Sequence, residues 1–171
     1  MRTAGSTKTQ LRQCGVTLLE LMVVLVIAAV LASIAIPSYS SYVDRANIDI
    51  AKADIQDISL AIERFYVRRS GFPESLEDIG MHTREDPWGN TYRYLNIQGT
   101  TEKERKKGFT GKGKDKENMR RDRNLKPINS DYDLYSVGKD GVSKPQLNAK
   151  PSRDDIVRAA DGKFVGVAED Y

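Results

Sequence analysis

The chain has 171 residues, 30% of them charged and 39% apolar, with a formal net charge of +3. That length suits one small domain plus a membrane segment, and the single cysteine, Cys14, excludes an intramolecular disulfide. One histidine, no phosphate-cradling glycine loop, no zinc-ligand spacing and no nucleophile–histidine pair leave no enzyme visible.

Residues 1–15 form a basic leader with Arg2, Lys8 and Arg12 and no acid. It has no apolar core of its own, so it is not an ordinary secretory signal, whose apolar region precedes the cleavage site. Arg12 and Gln13 precede Cys14, and the apolar run follows it, which argues against lipidation there. Residues 16–36 hold a single charge, Glu20. A run of about 20 apolar residues crosses the hydrocarbon layer as a helix, and a carboxylate inside such a run is costly and reads as functional. The basic leader stays cytoplasmic by the positive-inside rule, which places the rest of the chain outside. A plain single-pass anchor with an uncleaved tail is the alternative, and it leaves Glu20 unexplained. Pro37 ends the apolar run and predicts a kink or local melting, because proline removes a helical backbone bond; it reads equally as a simple membrane-exit break. Tyr39 and Tyr42 beyond it suit a membrane interface.

Residues 38–70 continue as an amphipathic helix. Ile48, Ala51, Ile55, Ile58, Ile62 and Phe65 recur at spacings of three and four, with the charges mainly on other faces. Ser70-Gly71-Phe72-Pro73 is the stop, with glycine just past the end and then proline. Residues 71–171 make a small β-rich region. Leu76 and Ile79 face inward from a short helix or turn, and Asp86-Pro87-Trp88-Gly89-Asn90 is dense in turn formers. Tyr92, Tyr94 and Ile97 alternate as in a strand, and Asp131-Tyr132-Asp133-Leu134-Tyr135-Ser136-Val137 is a second one. Trp88, the sole tryptophan, is expected to pack against the long helix, and His82 to lie on the surface. Residues 156–166 read as a short helix or strand and a turn.

Between the first two strands, residues 100–126 carry eleven Lys/Arg against five Asp/Glu. Such a stretch buries too little to offset its ordering entropy, so a disordered or weakly ordered loop is expected, with Phe109, Met119 and Leu125 too sparse for a core. Contact with acidic faces of neighbouring subunits or with DNA phosphates are the other readings. No base-stacking pattern accompanies the charge, so no specific nucleic-acid recognition is expected.

Gly15-Val16-Thr17-Leu18-Leu19-Glu20 resembles the class III signal of type IV pilins and of the pseudopilins of type II secretion. Asp86-Pro87-Trp88-Gly89-Asn90-Thr91-Tyr92 resembles the Asp-Pro-Trp-Gly-Asn-Pro-Tyr segment of the major pseudopilin, with Thr91 in place of proline. Asp133-Leu134-Tyr135-Ser136-Val137-Gly138-Lys139-Asp140-Gly141 resembles its Asp-Leu-Tyr-Ser-Leu-Gly-x-Asp-Gly, and Asp154-Asp155-Ile156 its acidic closing motif. The resemblance implies an α+β fold, with a long N-terminal helix on a small antiparallel sheet and a C-terminal loop. It implies that a prepilin peptidase cuts between Gly15 and Val16 and methylates the new amine, that Glu20 pairs with a neighbour's N-terminal amine, and that the helix loosens at Pro37 during assembly. The implied function is a subunit that polymerises into the pseudopilus, with minor pseudopilins and an inner-membrane assembly platform as partners. It would be anchored by one span with its C-terminal domain in the periplasm, and would drive export of folded proteins across the outer membrane. A type IV pilin or minor pilin for adhesion, motility or DNA uptake is the alternative.

The same resemblance implies one Ca2+ in the C-terminal loop, held by Asp140, Asp154 and Asp155 with the carbonyls of Val137 and Ser152. These are the hard oxygen ligands calcium takes, and a chain without a disulfide has reason to use such a clip. Thirteen residues separate Asp140 from Asp154, Lys144, Lys150 and Arg153 among them.

Overall fold

The computed structural model describes residues 17–99, 119–123 and 125–171. Contacts divide the chain into two units, one ending at Tyr42 and one comprising Val43–Tyr171. Helix α1, Leu18–Arg69, carries all of the first unit described beyond Thr17, and the opening of the second.

In the first unit every described residue is exposed. This part of α1 is long and apolar enough to cross a membrane. Pro37 lies within the helix and does not end it. The missing proline N–H leaves the Ser33 carbonyl without its usual partner, and serine hydroxyls take up neighbouring carbonyls instead. Ser38 Oγ donates to Ile34 O at 2.9 Å, and Ser41 Oγ to Pro37 O at 3.2 Å.

In the second unit the periodicity of α1 becomes a core. Ala51, Ile55, Ile58 and Ile62 are fully buried, and Ile48 packs beside them. Phe65 is half-buried. The helix stops one residue earlier than its glycine: Ser70 itself takes the left-handed conformation at φ 56°. Its amide bonds Tyr66 O at 2.7 Å, so the chain turns before Gly71 is reached. A 3-10 helix over Leu76–Ile79 follows, with Leu76 buried.

Four antiparallel strands then form one sheet in chain order: β1 Arg93–Asn96, β2 Tyr132–Ser136, β3 Ile156–Ala159 and β4 Phe164–Val167. Tyr92, Tyr132, Leu134 and Ile156 bury against the isoleucines of α1, with Trp88 packed onto the same cluster. Ile128, Leu147, Val157, Ala159 and Ala168 make a second core. The α+β architecture is therefore an amphipathic helix segment laid on a small antiparallel sheet. Residues 156–166 resolve into β3, a left-handed turn at Ala160 and Asp161, and the start of β4.

The basic segment differs from its expectation where it is described. Met119 is buried and Arg120 is 1% exposed. Arg120 bonds Asp133 and the 143–155 loop, so this end of the segment is packed rather than free. Leu125 is exposed, and residues 100–118 and 124 lie outside the described residues.

Candidate functional site

Two regions carry the residues singled out by sequence. The first is the start of α1. Gly15 and Val16 lie outside the described residues. Thr17 caps the helix: its Oγ1 accepts the Glu20 N–H at 3.2 Å, and its carbonyl accepts Leu21 N–H at 3.1 Å. Thr17-x-x-Glu20 is the capping-box spacing, a signal legible in sequence that the motif reading passed over. The acid in the first turn also meets the positive end of the helix dipole. Glu20 is exposed, as is the apolar surface around and beyond it, from Leu18 at 77% to Ile36 at 69%.

The second region is where the strand and turn motifs meet. Asp86 organises its own turn, accepting Trp88 N–H at 3.0 Å and Asn90 N–H at 2.8 Å on Oδ1. Its other oxygen accepts the Ser136 hydroxyl, and Ser136 Oγ accepts Gly138 N–H at 3.0 Å. Asn90 Nδ2 donates to Gly138 O at 3.2 Å. The segments 86–92 and 133–141, separate in sequence, are thus one hydrogen-bonded unit. It sets the position of the turn after β2.

At that turn Asp140 and Asp154 come together: Asp140 N–H donates to Asp154 Oδ2 at 3.1 Å. Gly138, at φ +68°, is required for the approach, because a Cβ there would sit 2.4 Å from Asp154 O and 2.8 Å from its Oδ2. Asp140 Oδ1 accepts Val142 N–H at 2.8 Å, and Lys139 turns away to pair with Asp44 of α1 at 2.8 Å. Val137 is buried beside this turn. Ser152 is buried too, its hydroxyl accepting Lys144 N–H at 2.8 Å and donating to Lys144 O at 2.9 Å.

Asp155 belongs to a different set of contacts. It is fully buried, and its Oδ2 accepts from the Arg120 guanidinium and from Ser143 Oγ at 2.6 Å. Its Oδ1 is buried with no hydrogen-bond partner among the described residues. Burial pushes its carboxyl up to about 6, with Arg120 pulling the other way. Among the described residues no three carboxylate, imidazole or thiol groups converge, so Asp140, Asp154 and Asp155 do not close on one point. What the loop offers a cation is the carboxylates of Asp140 and Asp154, joined through the Asp140 N–H, and the orphaned Oδ1 of Asp155. That donor set is all hard oxygen, which fits calcium rather than a softer metal.

Arg120 had no local signal in the sequence. Its partner Asp155 is 35 residues away, and its own neighbourhood reads as solvated charge. His82 is exposed, as expected. The C-terminal tail is docked: Glu169 N–H donates to Arg153 O at 3.2 Å, and the Tyr171 ring lies 5.2 Å from that of Phe164.

Comparison with known proteins agrees with the first region. Residues 10–36 match the prokaryotic N-terminal methylation motif. The chain is 30% identical over 105 residues to the type II secretion system core protein G of Pseudomonas aeruginosa, covering 49% of this chain and 74% of that protein. It is 32% identical over 109 residues to the Vibrio cholerae protein of the same description, covering 52% and 75%. The type IV major pilin protein of Neisseria gonorrhoeae is 33% identical over only 69 residues, 40% of this chain and 42% of the pilin. No solved structure matches. By its N-terminal motif, and by identity over about three quarters of those relatives, the chain belongs to the pilin-like family of type II secretion system core protein G.

Proposed function

We propose that this chain is the structural subunit of a type II secretion pseudopilus, polymerising through the first part of α1 to help drive folded proteins across the outer membrane. The observation that carries the reading is the uncovered apolar surface of residues 18–42 with Glu20 at its start, in a chain of this family. An apolar surface of that extent is stable only in lipid or against other copies of itself. Before assembly it is the inner-membrane span, with residues 43–171 in the periplasm. A prepilin peptidase cuts between Gly15 and Val16, and the assembly platform and minor pseudopilins receive the processed chain. In the filament Glu20 meets a neighbour's N-terminal amine. Two opposite charges buried together cost far less than either alone, so the pair sets subunit register. Glu20→Ala is expected to be processed normally yet to form no filaments, read by N-terminal sequencing and by a shear assay. Wild-type filament yield from that variant would sink the proposal.

The loop after β2 takes a calcium ion in this reading. Asp140 and Asp154 would hold it with the carbonyls of Val137 and Ser152, and Asp155 Oδ1 is the remaining candidate oxygen. The ion would tie the turn after β2 to the start of β3, where no disulfide is available. Chelator is expected to lower the melting temperature of the wild type and to leave that of Asp140→Ala unchanged. A wild type indifferent to chelator would count against the ion.

A further inference from the structure

The buried guanidinium of Arg120 sits inside the same loop and makes the contacts of a cation. Nη1 donates to Ser143 Oγ at 2.5 Å and to Lys144 O at 2.7 Å, and Nη2 donates to Asp155 Oδ2. Its Cζ lies 4.1 Å above the Tyr135 ring of β2. The backbone around it is fixed as well. Arg120 N–H donates to Asp133 Oδ2 at 2.7 Å, Arg121 N–H to Pro145 O at 2.9 Å, and Leu147 N–H to Arg121 O at 3.0 Å. Residues 120 and 121 thus clamp the loop by side chain and main chain, while Ser152 closes it from the other end through Lys144.

We infer that Arg120 is a built-in cation for residues 143–155, holding that loop folded without any metal. The C-terminal region then has two separable clips. A calcium ion at Asp140 and Asp154 would tie the turn at residues 138–142 to the end of that loop. Arg120 orders the long span between those two aspartates, where its planar fork reaches a carboxylate, a hydroxyl and a carbonyl at once. A long connection needs such an internal anchor, because the cost of closing a loop grows with its length. This inference does not depend on the filament reading, which is tested by assembly.

The test is hydrogen exchange on the full chain in detergent, with peptides covering 138–142 and 143–155, in calcium and in EGTA. In the wild type, 143–155 should stay protected in EGTA even if 138–142 opens. In Arg120→Gln, 143–155 should exchange faster by on the order of a hundredfold, in saturating calcium as well, since removing one partner leaves the buried Asp155 charge uncompensated. Ser143→Ala, a milder cut that removes one acceptor, should shift the same peptide in the same direction and protects the test if Arg120→Gln fails to fold. The inference is overturned if EGTA alone opens 143–155 in the wild type, or if both variants keep wild-type protection. A wild type with no calcium response anywhere supports Arg120 and removes the calcium reading, so the two failures are told apart.

Discussion

Asp133 shows how much a single buried side chain carries here. It is 1% exposed; Asn129 Nδ2 bonds its Oδ1 at 2.9 Å and Arg120 N–H its Oδ2 at 2.7 Å. Burial nonetheless raises its carboxyl from 3.8 to about 6, the hydrogen bonds only partly offsetting the desolvation. Between those two values the folded chain keeps a proton that the unfolded chain has lost. Stability contributed by this group is therefore fully present below pH 3.8 and is lost as pH rises through about 6. Asp155 acts in the same sense. Asp161 is lowered by bonds from Ser130 and by Arg158 against its own desolvation, so its contribution is present above the ordinary carboxylate range and lost as pH falls. Asp133→Asn isolates one group from this mixture. Its stability relative to wild type should rise steadily as pH goes from about 4 to about 6, whatever the offset between the two proteins. Melting temperatures of both chains across that range check it, and a constant difference would mean Asp133 stays ionised in the fold.

At the scale of elements, what could be read beforehand depended on whether an element has one wet face. The second part of α1 does, so Ala51, Ile55, Ile58 and Ile62 announced a buried stripe through their spacing alone. The turn formers at 86–90 and the run 131–137 were legible for similar local reasons, and β2 occupies Tyr132–Ser136. Strand β3 was not resolved from a helix, because all four of Ile156, Val157, Arg158 and Ala159 are buried and no alternation survives. Arg158 is itself disguised: its charge is met by Asp131 at 2.6 Å and it lies over the Tyr132 ring at 4.0 Å. At the loop, the Asp140 and Asp154 pair was legible as a motif. The division of labour between Asp154 and Asp155 was not, since it depends on an arginine contributed from before β2. The helix–sheet contact can be tested at its centre. Ile58→Ala removes a fully buried side chain from the α1 stripe and should cost about 2–5 kcal/mol, the range for such cavities. Calorimetry on the two chains measures it. A cost below about 1 kcal/mol would mean the site collapses around the missing atoms.

The whole molecule divides its tasks between its two units. All apolar surface described before Val43 is exposed, and both buried clusters draw only on residues from Ile48 onward. The second unit therefore contains everything its own core uses: the isoleucine stripe, the four strands, the joined 86–92 and 133–141 segments and the Arg120 clamp. Among the described residues, neither buried cluster includes a side chain from before Ile48. A chain reduced to Val43–Tyr171 should consequently be soluble and folded, melting cooperatively. It should lose both membrane retention and filament formation, because those reside in the removed surface. Helix α1 then starts at residue 43 without the Thr17 cap, and fraying there is limited by the pairing of Asp44 with Lys139, 2.8 Å apart. Sedimentation and a thermal melt of the fragment decide the matter. Aggregation or a broad, non-cooperative melt would show that the first unit is needed to fold the second, and that anchoring and folding are coupled in this chain.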